Sequence, residues 1–105
     1  MNLQITSRKF KAKESLKEFI EGEISSLEKI SDDILDVEVI LSFQNQKDSI
    51  KDAEIIVKVP HKTLKASCSS DDFKKSVDLA VEKLESQIKR IKTKRITSKR
   101  VEKSI

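Results

Sequence analysis

The chain has 105 residues, of which 38% are charged, and a formal net charge of +4; it contains one glycine, one proline and no tryptophan or tyrosine. This length allows one domain with a single core and is too short for two. No apolar run approaches the roughly 20 residues of a membrane span, and "MNLQITSRKF" lacks the apolar core of a secretory signal, so we expect a cytoplasmic protein.

The first third of the sequence predicts a strand and a helix. Leu3 and Ile5 alternate with polar residues in "NLQITS", which indicates a short, half-buried strand. From Glu14 to about Ile30, apolar residues recur on one face of a helix. These residues are Leu16, Phe19, Ile20, Ile24, Leu27 and Ile30. Gly22 costs this helix about 1 kcal/mol relative to alanine.

Three further strands are predicted in the middle of the chain. "LDVEVILSF", "DAEIIVKVP" and "KTLKASCSS" each alternate apolar and polar residues. The side chains expected to point inward are Leu35, Val37, Val39, Leu41 and Phe43, then Ala53, Ile55, Val57 and Val59, then Leu64, Ala66 and Cys68. The polar segment "QNQKDSIK" connects the first two of these strands as a hairpin loop, and Pro60 ends the second.

A second helix begins after "SSDDF", where Ser70 or Asp71 can cap its first turn. Its apolar stripe ends at Ile91, whereas basic residues continue beyond that point. The other residues of the stripe are Phe73, Val77, Ala80, Val81, Leu84 and Ile88. We therefore expect a domain over residues 1–95 and a basic C-terminal tail over 96–105, and the sequence leaves open whether this tail is ordered.

The predicted order of elements is β-α-β-β-β-α, which is an α+β fold. The first helix crosses between two parallel neighbouring strands, and short links make the last three strands an antiparallel meander. We expect a four-stranded mixed sheet with both helices packed on one face and the other, polar face left in water.

Few residues are available for catalysis or metal binding. Cys68 is the only cysteine and His61 the only histidine, and neither has a partner at a recognisable spacing. We interpret Cys68 as a packed small hydrophobe and His61, which follows Pro60, as a turn residue. We expect a protein that is not an enzyme, with no metal, no cofactor and no small-molecule substrate.

The positive charge is concentrated in the last third of the chain. Residues 74–105 contain eleven Lys or Arg and four acidic residues, a net charge of +7, which leaves −3 for the rest of the chain. This uneven distribution of charge indicates a surface that binds a polyanionic partner rather than an ordinary solvated helix face. A membrane surface is disfavoured because the apolar face of the helix already packs on the sheet.

The scarcity of aromatic residues argues against stacking on single-stranded bases and favours contacts to the backbone of structured RNA. The candidate RNA-binding residues are Lys74, Lys75, Lys83, Lys89, Arg90, Lys92, Lys94 and Arg95. The residues themselves leave two other interpretations open: a generic double-stranded RNA-binding module, and a small enzyme of ferredoxin-like shape that depends on His61 or Cys68.

The sequence also resembles the bacterial ribosome hibernation promoting factors, the family that includes protein Y. The resemblance runs from "MNLQIT" through "ESLKEFIEGEISSLEK" to "LKASCSSDDFKKSVDLAVEKLESQIKRIK", and "KASCSSDD" is part of its most specific segment. It implies the fold given above, binding to rRNA of the small ribosomal subunit where mRNA and tRNA would lie, and translation inhibition during starvation or stationary phase. It also implies association with whole ribosomes, and we expect a monomer off the ribosome.

Individual residues follow or depart from the family pattern. Lys83, Arg90 and Lys92 match basic positions that face rRNA in the family. Departures are Ser7 for glycine, Lys13 for threonine, Lys74 for tyrosine, and Glu23 and Ser26 for two lysines of the first helix. The resemblance therefore assigns more of the RNA contact to the second helix, and the length is that expected of a short family member without the domain that pairs ribosomes.

Overall fold

The computed structural model describes the backbone of residues 2–31, 33–43 and 50–104, and the side chains of the same ranges as far as residue 91. Its elements are β1 (Asn2–Ser7), α1 (Glu14–Ile30), β2 (Asp36–Phe43), β3 (Lys51–Val59), β4 (Lys62–Ser70) and α2 (Phe73–Ser104). This order confirms the predicted α+β fold. Of the loop predicted over residues 44–51, residues 44–49 lie outside the described residues, and Lys51 belongs to β3. The division between a domain and a tail at residue 95 stays a prediction.

The four strands form one mixed sheet in the order β1-β2-β3-β4. Strand β1 pairs in parallel with β2, with Leu3 beside Val37, because α1 provides the crossover connection that parallel neighbours require. The pairs β2–β3 and β3–β4 are antiparallel. Strand β4 is therefore an edge strand, whose outer side is open to contacts from α2.

A two-residue turn joins β3 to β4. Val59 pairs with Lys62 across it, so Pro60 and His61 form the turn. His61 has a φ of 68°, a left-handed conformation that favours glycine over residues with a Cβ. The interpretation of His61 as a turn residue is confirmed, and it adopts a strained backbone there.

The core lies between one face of the sheet and the two helices. Fully buried side chains come from the sheet and from both helices: Val39, Ile55 and Val57 of the sheet, Ile20, Ile24 and Leu27 of α1, and Val77 and Leu84 of α2. They belong to one continuous cluster, against which Cys68 packs partly buried. Both helices therefore cover the same sheet face, and Cys68 packs as the sequence predicts.

Two local predictions are wrong. Leu35 is 54% exposed, and Ile34 is buried in its place, because β2 begins only at Asp36 and strand alternation does not extend to Leu35. The cap of α2 comes from Asp72, whose Oδ1 accepts a hydrogen bond from the Lys74 backbone N–H at 3.1 Å. Ser70 still belongs to β4, so it lies too early to cap the helix.

The start of α2 is fastened to the sheet by a buried hydroxyl. The Ser76 side chain is fully buried; its Oγ donates to the Lys51 carbonyl at 2.7 Å and lies 2.7 Å from the Ser70 hydroxyl. These bonds tie α2 to the ends of β3 and β4 and fix its direction along the sheet. Within the described ranges, neither helix combines the length and the apolar character needed to cross a bilayer.

Candidate nucleic-acid interface

A groove of about 770 Å³ opens between helix α2 and the edge strand β4. It is lined by Lys62, Leu64, Lys83, Ser86, Gln87, Arg90 and Ile91. Among these described side chains three are basic and none is acidic, so their charges add rather than cancel. We call this surface the basic groove.

Two side chains of α2 fasten the helix to the edge of β4. Lys83 Nζ donates to the Ser67 carbonyl at 3.3 Å, and Gln87 Nε2 donates to the Lys65 carbonyl at 3.2 Å. Both carbonyls lie on an edge strand, where polar backbone groups otherwise face solvent. An ammonium group carries three donors, so Lys83 keeps two of them for a ligand in the basic groove.

The structure brings together only some of the predicted RNA-binding residues. Lys83 and Arg90 are separated by seven residues, or about two helical turns, and therefore share one face of α2. Both line the basic groove. The sequence prediction missed Lys62, although a signal was present: Lys62 has the same strand phase as Leu64 and Ala66, which point toward the helices.

Lys89 lies on a different face of α2. It is exposed, and along the helix it is four residues from Glu85 and seven from Glu82, so it shares a face with these two acidic residues. Their carboxylates partly offset its positive charge. Lys89 is therefore a weaker candidate for RNA binding than Lys83 or Arg90.

Lys74 and Lys75 lie in the first turn of α2, before the part of the helix that lines the basic groove. Both are exposed, and Lys74 is sixteen residues before Arg90, or about 24 Å along a helix. Lys74 Nζ lies 5.8 Å from the centre of the Phe19 ring. The side chains of Lys92, Lys94 and Arg95 lie outside the described residues.

The side of α2 that faces α1 is negatively charged. Glu23 of α1 meets Asp78, Glu82 and Glu85 of α2, and we call these four residues the acidic seam. Burial, the hydrogen bond with Asp78 and the charges of the other seam carboxylates raise the pKa of Glu23 to about 7. Ser26 Oγ donates to Glu85 Oε1 at 3.4 Å. Next to this seam, the uncompensated positive charge of Lys83 and Arg90 lies on the side of α2 that faces β4.

The described part of the chain contains no group of three or more His, Cys, Asp or Glu residues placed to hold a metal ion. His61 lies in the β3–β4 turn, whereas Cys68 packs on the core. The fold and this surface together define the class of the protein: a small α+β domain with two helices on one sheet face and a basic groove along the sheet edge.

Comparison with known proteins places the chain within a family. Residues 3–96 match the family described as Sigma 54 modulation protein / S30EA ribosomal protein, and the chain belongs to this family. It is 33% identical over 96 residues to the ribosome hibernation promotion factor of Bacillus subtilis (strain 168), covering 90% of this chain and 50% of that protein. The chain therefore spans about half the length of this curated relative.

Two solved structures share the fold. A ribosomal subunit interface protein from Coxiella burnetii superimposes with a TM-score of 0.77 at 30% identity, covering 89% of this chain and 99% of that chain. The N-terminal domain of Thermus thermophilus Protein Y superimposes with a TM-score of 0.76 at 26% identity, covering 87% and 99%. These similarities confirm the family resemblance that the sequence indicates.

Proposed function

We propose that this domain is a non-catalytic ribosome hibernation factor. It binds rRNA of the small ribosomal subunit in the channel for mRNA and tRNA, and it thereby inhibits translation during starvation or stationary phase. The observation that carries the proposal is the basic groove, in which Lys62, Lys83 and Arg90 line one surface without an acidic residue among the described lining side chains. The domain acts as a monomer off the ribosome.

The names of the relatives support a ribosomal partner. One relative is called a ribosome hibernation promotion factor, and one structural neighbour is called a ribosomal subunit interface protein. A factor seated at the interface between subunits would meet chiefly rRNA phosphates, which a groove lined by lysine and arginine suits. The enzyme interpretation has less support, because its two candidate residues occupy structural positions. His61 lies in a turn, and Cys68 packs against the core.

The proposed mechanism is occupation of a site rather than chemistry. Lys83 and Arg90 are held on α2, and the helix is anchored by Ser76 and by the bonds to the edge of β4. Rigid placement lowers the entropy lost when these side chains meet phosphates. The continuation of α2 carries Lys92, Lys94 and Arg95, which we include in the RNA contact as residues of the same helix.

The test is the salt dependence of binding to purified small subunits. Each neutralised phosphate contact contributes about 0.7 to 0.9 log units of affinity per log unit of salt. A variant with Lys62, Lys83 and Arg90 all replaced by Gln should therefore bind less tightly and flatten the slope by roughly two to three units. Its melting temperature should fall by no more than about 4–8 °C, because the Lys83–Ser67 hydrogen bond is lost but the core is unchanged.

The matched control replaces Arg8, Lys29 and Lys58 by Gln, which removes the same number of charges from exposed side chains outside both the basic groove and the cleft at the start of the two helices. This variant should retain the subunit-binding slope of the unaltered chain. Equal slopes for all three proteins would contradict a role for the basic groove. Excess double-stranded RNA should not compete effectively; if it does, the domain is a general duplex-binding module.

Placement in the channel is tested by competition. Prebound protein should suppress the binding of mRNA and initiator tRNA to small subunits. If the protein, mRNA and initiator tRNA all bind one subunit without loss of affinity, the domain lies elsewhere on the subunit. Sedimentation of stationary-phase lysate through a sucrose gradient should find the protein with small subunits and whole ribosomes.

A further inference from the structure

A second, smaller cleft lies at the end of the domain where both helices begin. It has a volume of about 330 Å³ and is lined by Phe10, Lys11, Lys13, Ser15, Leu16, Lys51, Asp72, Phe73 and Lys74. We call it the end cleft. It shares no lining residue with the basic groove, and Lys74 of the end cleft lies nine residues, or about 14 Å of helix, before Lys83 of the basic groove.

Aromatic rings form the apolar part of the end cleft. Phe10 and Phe73 are stacked with their ring centres 5.0 Å apart and their planes inclined by 12°. Phe43 contacts both rings edge-on, at 5.1 Å and 5.3 Å. Phe73 is buried, but Phe10 is only partly buried. The cluster is therefore a set of packed rings of which Phe10 remains partly accessible.

Four lysines surround this surface. Lys11, Lys13 and Lys74 are exposed, whereas Lys51 Nζ donates to the Asp71 carbonyl at 3.2 Å and lies 5.8 Å from the Phe43 ring centre. The one acidic residue of the lining, Asp72, uses its carboxylate to cap α2 through the Lys74 N–H. The cleft thus combines an excess of positive charge with an apolar floor.

The start of α1 adds to this positive character. The residue at its N-cap is Lys13, which forms no side-chain cap hydrogen bond. The first N–H groups of a helix lack intrahelical acceptors and carry the positive end of the helix dipole. Ser15 of this first turn lines the cleft. A negatively charged group held by the lysines would therefore lie beside these donors.

We propose that the end cleft binds one nucleotide of a single-stranded RNA, with the phosphate on Lys11, Lys13 and Lys74 and the base against Phe10. A volume of about 330 Å³ lies at the lower end of the range of small-ligand pockets, about 300 to 1,000 Å³, and suits a single base. Base stacking on aromatic side chains combined with a cationic backbone contact is how single strands are bound. This site is separate from the proposed ribosomal contact and does not depend on it.

A nucleotide fits these features better than an acidic peptide. Both partners supply negative charge to the lysines, but only the nucleotide brings an obligatory flat ring that matches the stacked phenylalanines. Lysine ammonium groups bind phosphate well as point charges. Charge complementarity and the aromatic floor therefore point to the same ligand class.

The experiment uses the full chain and three anionic probes of similar charge: a hexa-adenylate RNA, an abasic strand of the same length and a hexaglutamate peptide. Binding is measured by fluorescence anisotropy at low salt, and contacts are mapped by amide chemical shifts. We expect hexa-adenylate to shift amides of residues 10–16 and 72–74. The abasic strand should bind about five- to 150-fold more weakly, the range expected for loss of one stacked base.

Two triple variants make the result specific. Replacing Lys11, Lys13 and Lys74 by Gln should remove the shifts at the end cleft and weaken binding of hexa-adenylate by about tenfold or more. Replacing Lys62, Lys83 and Arg90 by Gln should leave the end-cleft shifts in place. Thermal unfolding of both variants checks that each is folded.

The proposal is overturned if the abasic strand or hexaglutamate binds as tightly as hexa-adenylate, because the base would then contribute nothing. It is also overturned if the shifts at 10–16 and 72–74 are absent or survive in the end-cleft variant. Neither result bears on the ribosomal proposal, which rests on subunit binding by the basic groove. Conversely, if the basic groove proves not to bind the small subunit, the result for oligonucleotide binding at the end cleft is unaffected.

Discussion

Raising the pH through 7 should destabilise the domain at the acidic seam between α1 and α2. The pKa of Glu23 is raised from 4.5 to about 7, first by burial and then by Asp78 and the other seam carboxylates. Between these two values the folded state binds more protons than the unfolded state. Stability must therefore fall as the pH rises through this interval.

The size of the effect follows from the pKa difference. Each unit corresponds to about 1.36 kcal/mol, so the shift of Glu23 from 4.5 to about 7 sets an upper limit of ~3.4 kcal/mol. Solvent reaches the partly exposed seam and screens these charges. We therefore expect the free energy of unfolding to be lower at pH 8 than at pH 5 by ~1 kcal/mol from this group.

Urea denaturation at a series of pH values measures this dependence. Glu23→Gln should remove most of it, because the amide neither titrates nor repels Asp78, and the variant should exceed the unaltered chain in stability at pH 8. The control is Glu18→Gln, which removes an exposed carboxylate from the same helix and should keep the original pH profile. A stability that stays flat from pH 5 to pH 8, or a profile that Glu23→Gln leaves unchanged, would refute the reasoning.

Three further predictions concern the packing and the backbone, and each is tested by urea denaturation. Leu84→Ala should cost ~2–5 kcal/mol through a core cavity, since Leu84 is fully buried, whereas Leu79→Ala, at a side chain 36% exposed, should cost less than ~1 kcal/mol. Gly22→Ala should add ~0.5–1 kcal/mol, because no described atom outside its own helix lies within 4 Å of the added Cβ. His61→Gly should add ~0.5–1 kcal/mol by relieving the positive φ of 68°, whereas His61→Ala should add none.

The elements of the fold could be predicted from the sequence because their apolar periods are regular. The prediction for α1, from Glu14 to about Ile30, agrees with its observed bounds, since Leu16, Ile20, Ile24 and Leu27 recur at helical spacing. The strand order also follows from the connections between the strands: a helical crossover gives parallel neighbours, and short links give an antiparallel meander. The prediction failed only at element ends, such as Leu35, where the period no longer constrains the chain.

The surfaces could be predicted less well, because each one joins segments that are distant in sequence. The basic run at the end of the chain indicated Lys83 and Arg90, but Lys62 joins them only because β4 lies beside α2. Similarly, Lys13 and Lys74, which both differ from the family pattern, are distant in sequence, and only the fold brings them together at the end cleft. The number of aromatic residues alone did not show that three of the four phenylalanines cluster there.

The two flanks of α2 carry opposite charge, and this polarity bears on how the domain would lie on RNA. Lys83 and Arg90 face β4, whereas Asp78, Glu82 and Glu85 face α1. An RNA backbone would be attracted to the flank that faces β4 and repelled by the flank that faces α1. Only orientations that turn the β4 side of α2 toward the RNA are therefore favourable. In the proposed ribosomal contact, the β4 side of α2 would therefore face the RNA, and Glu23 of α1 adds to the repulsive flank. A surface charged uniformly around the helix could not select an orientation in this way.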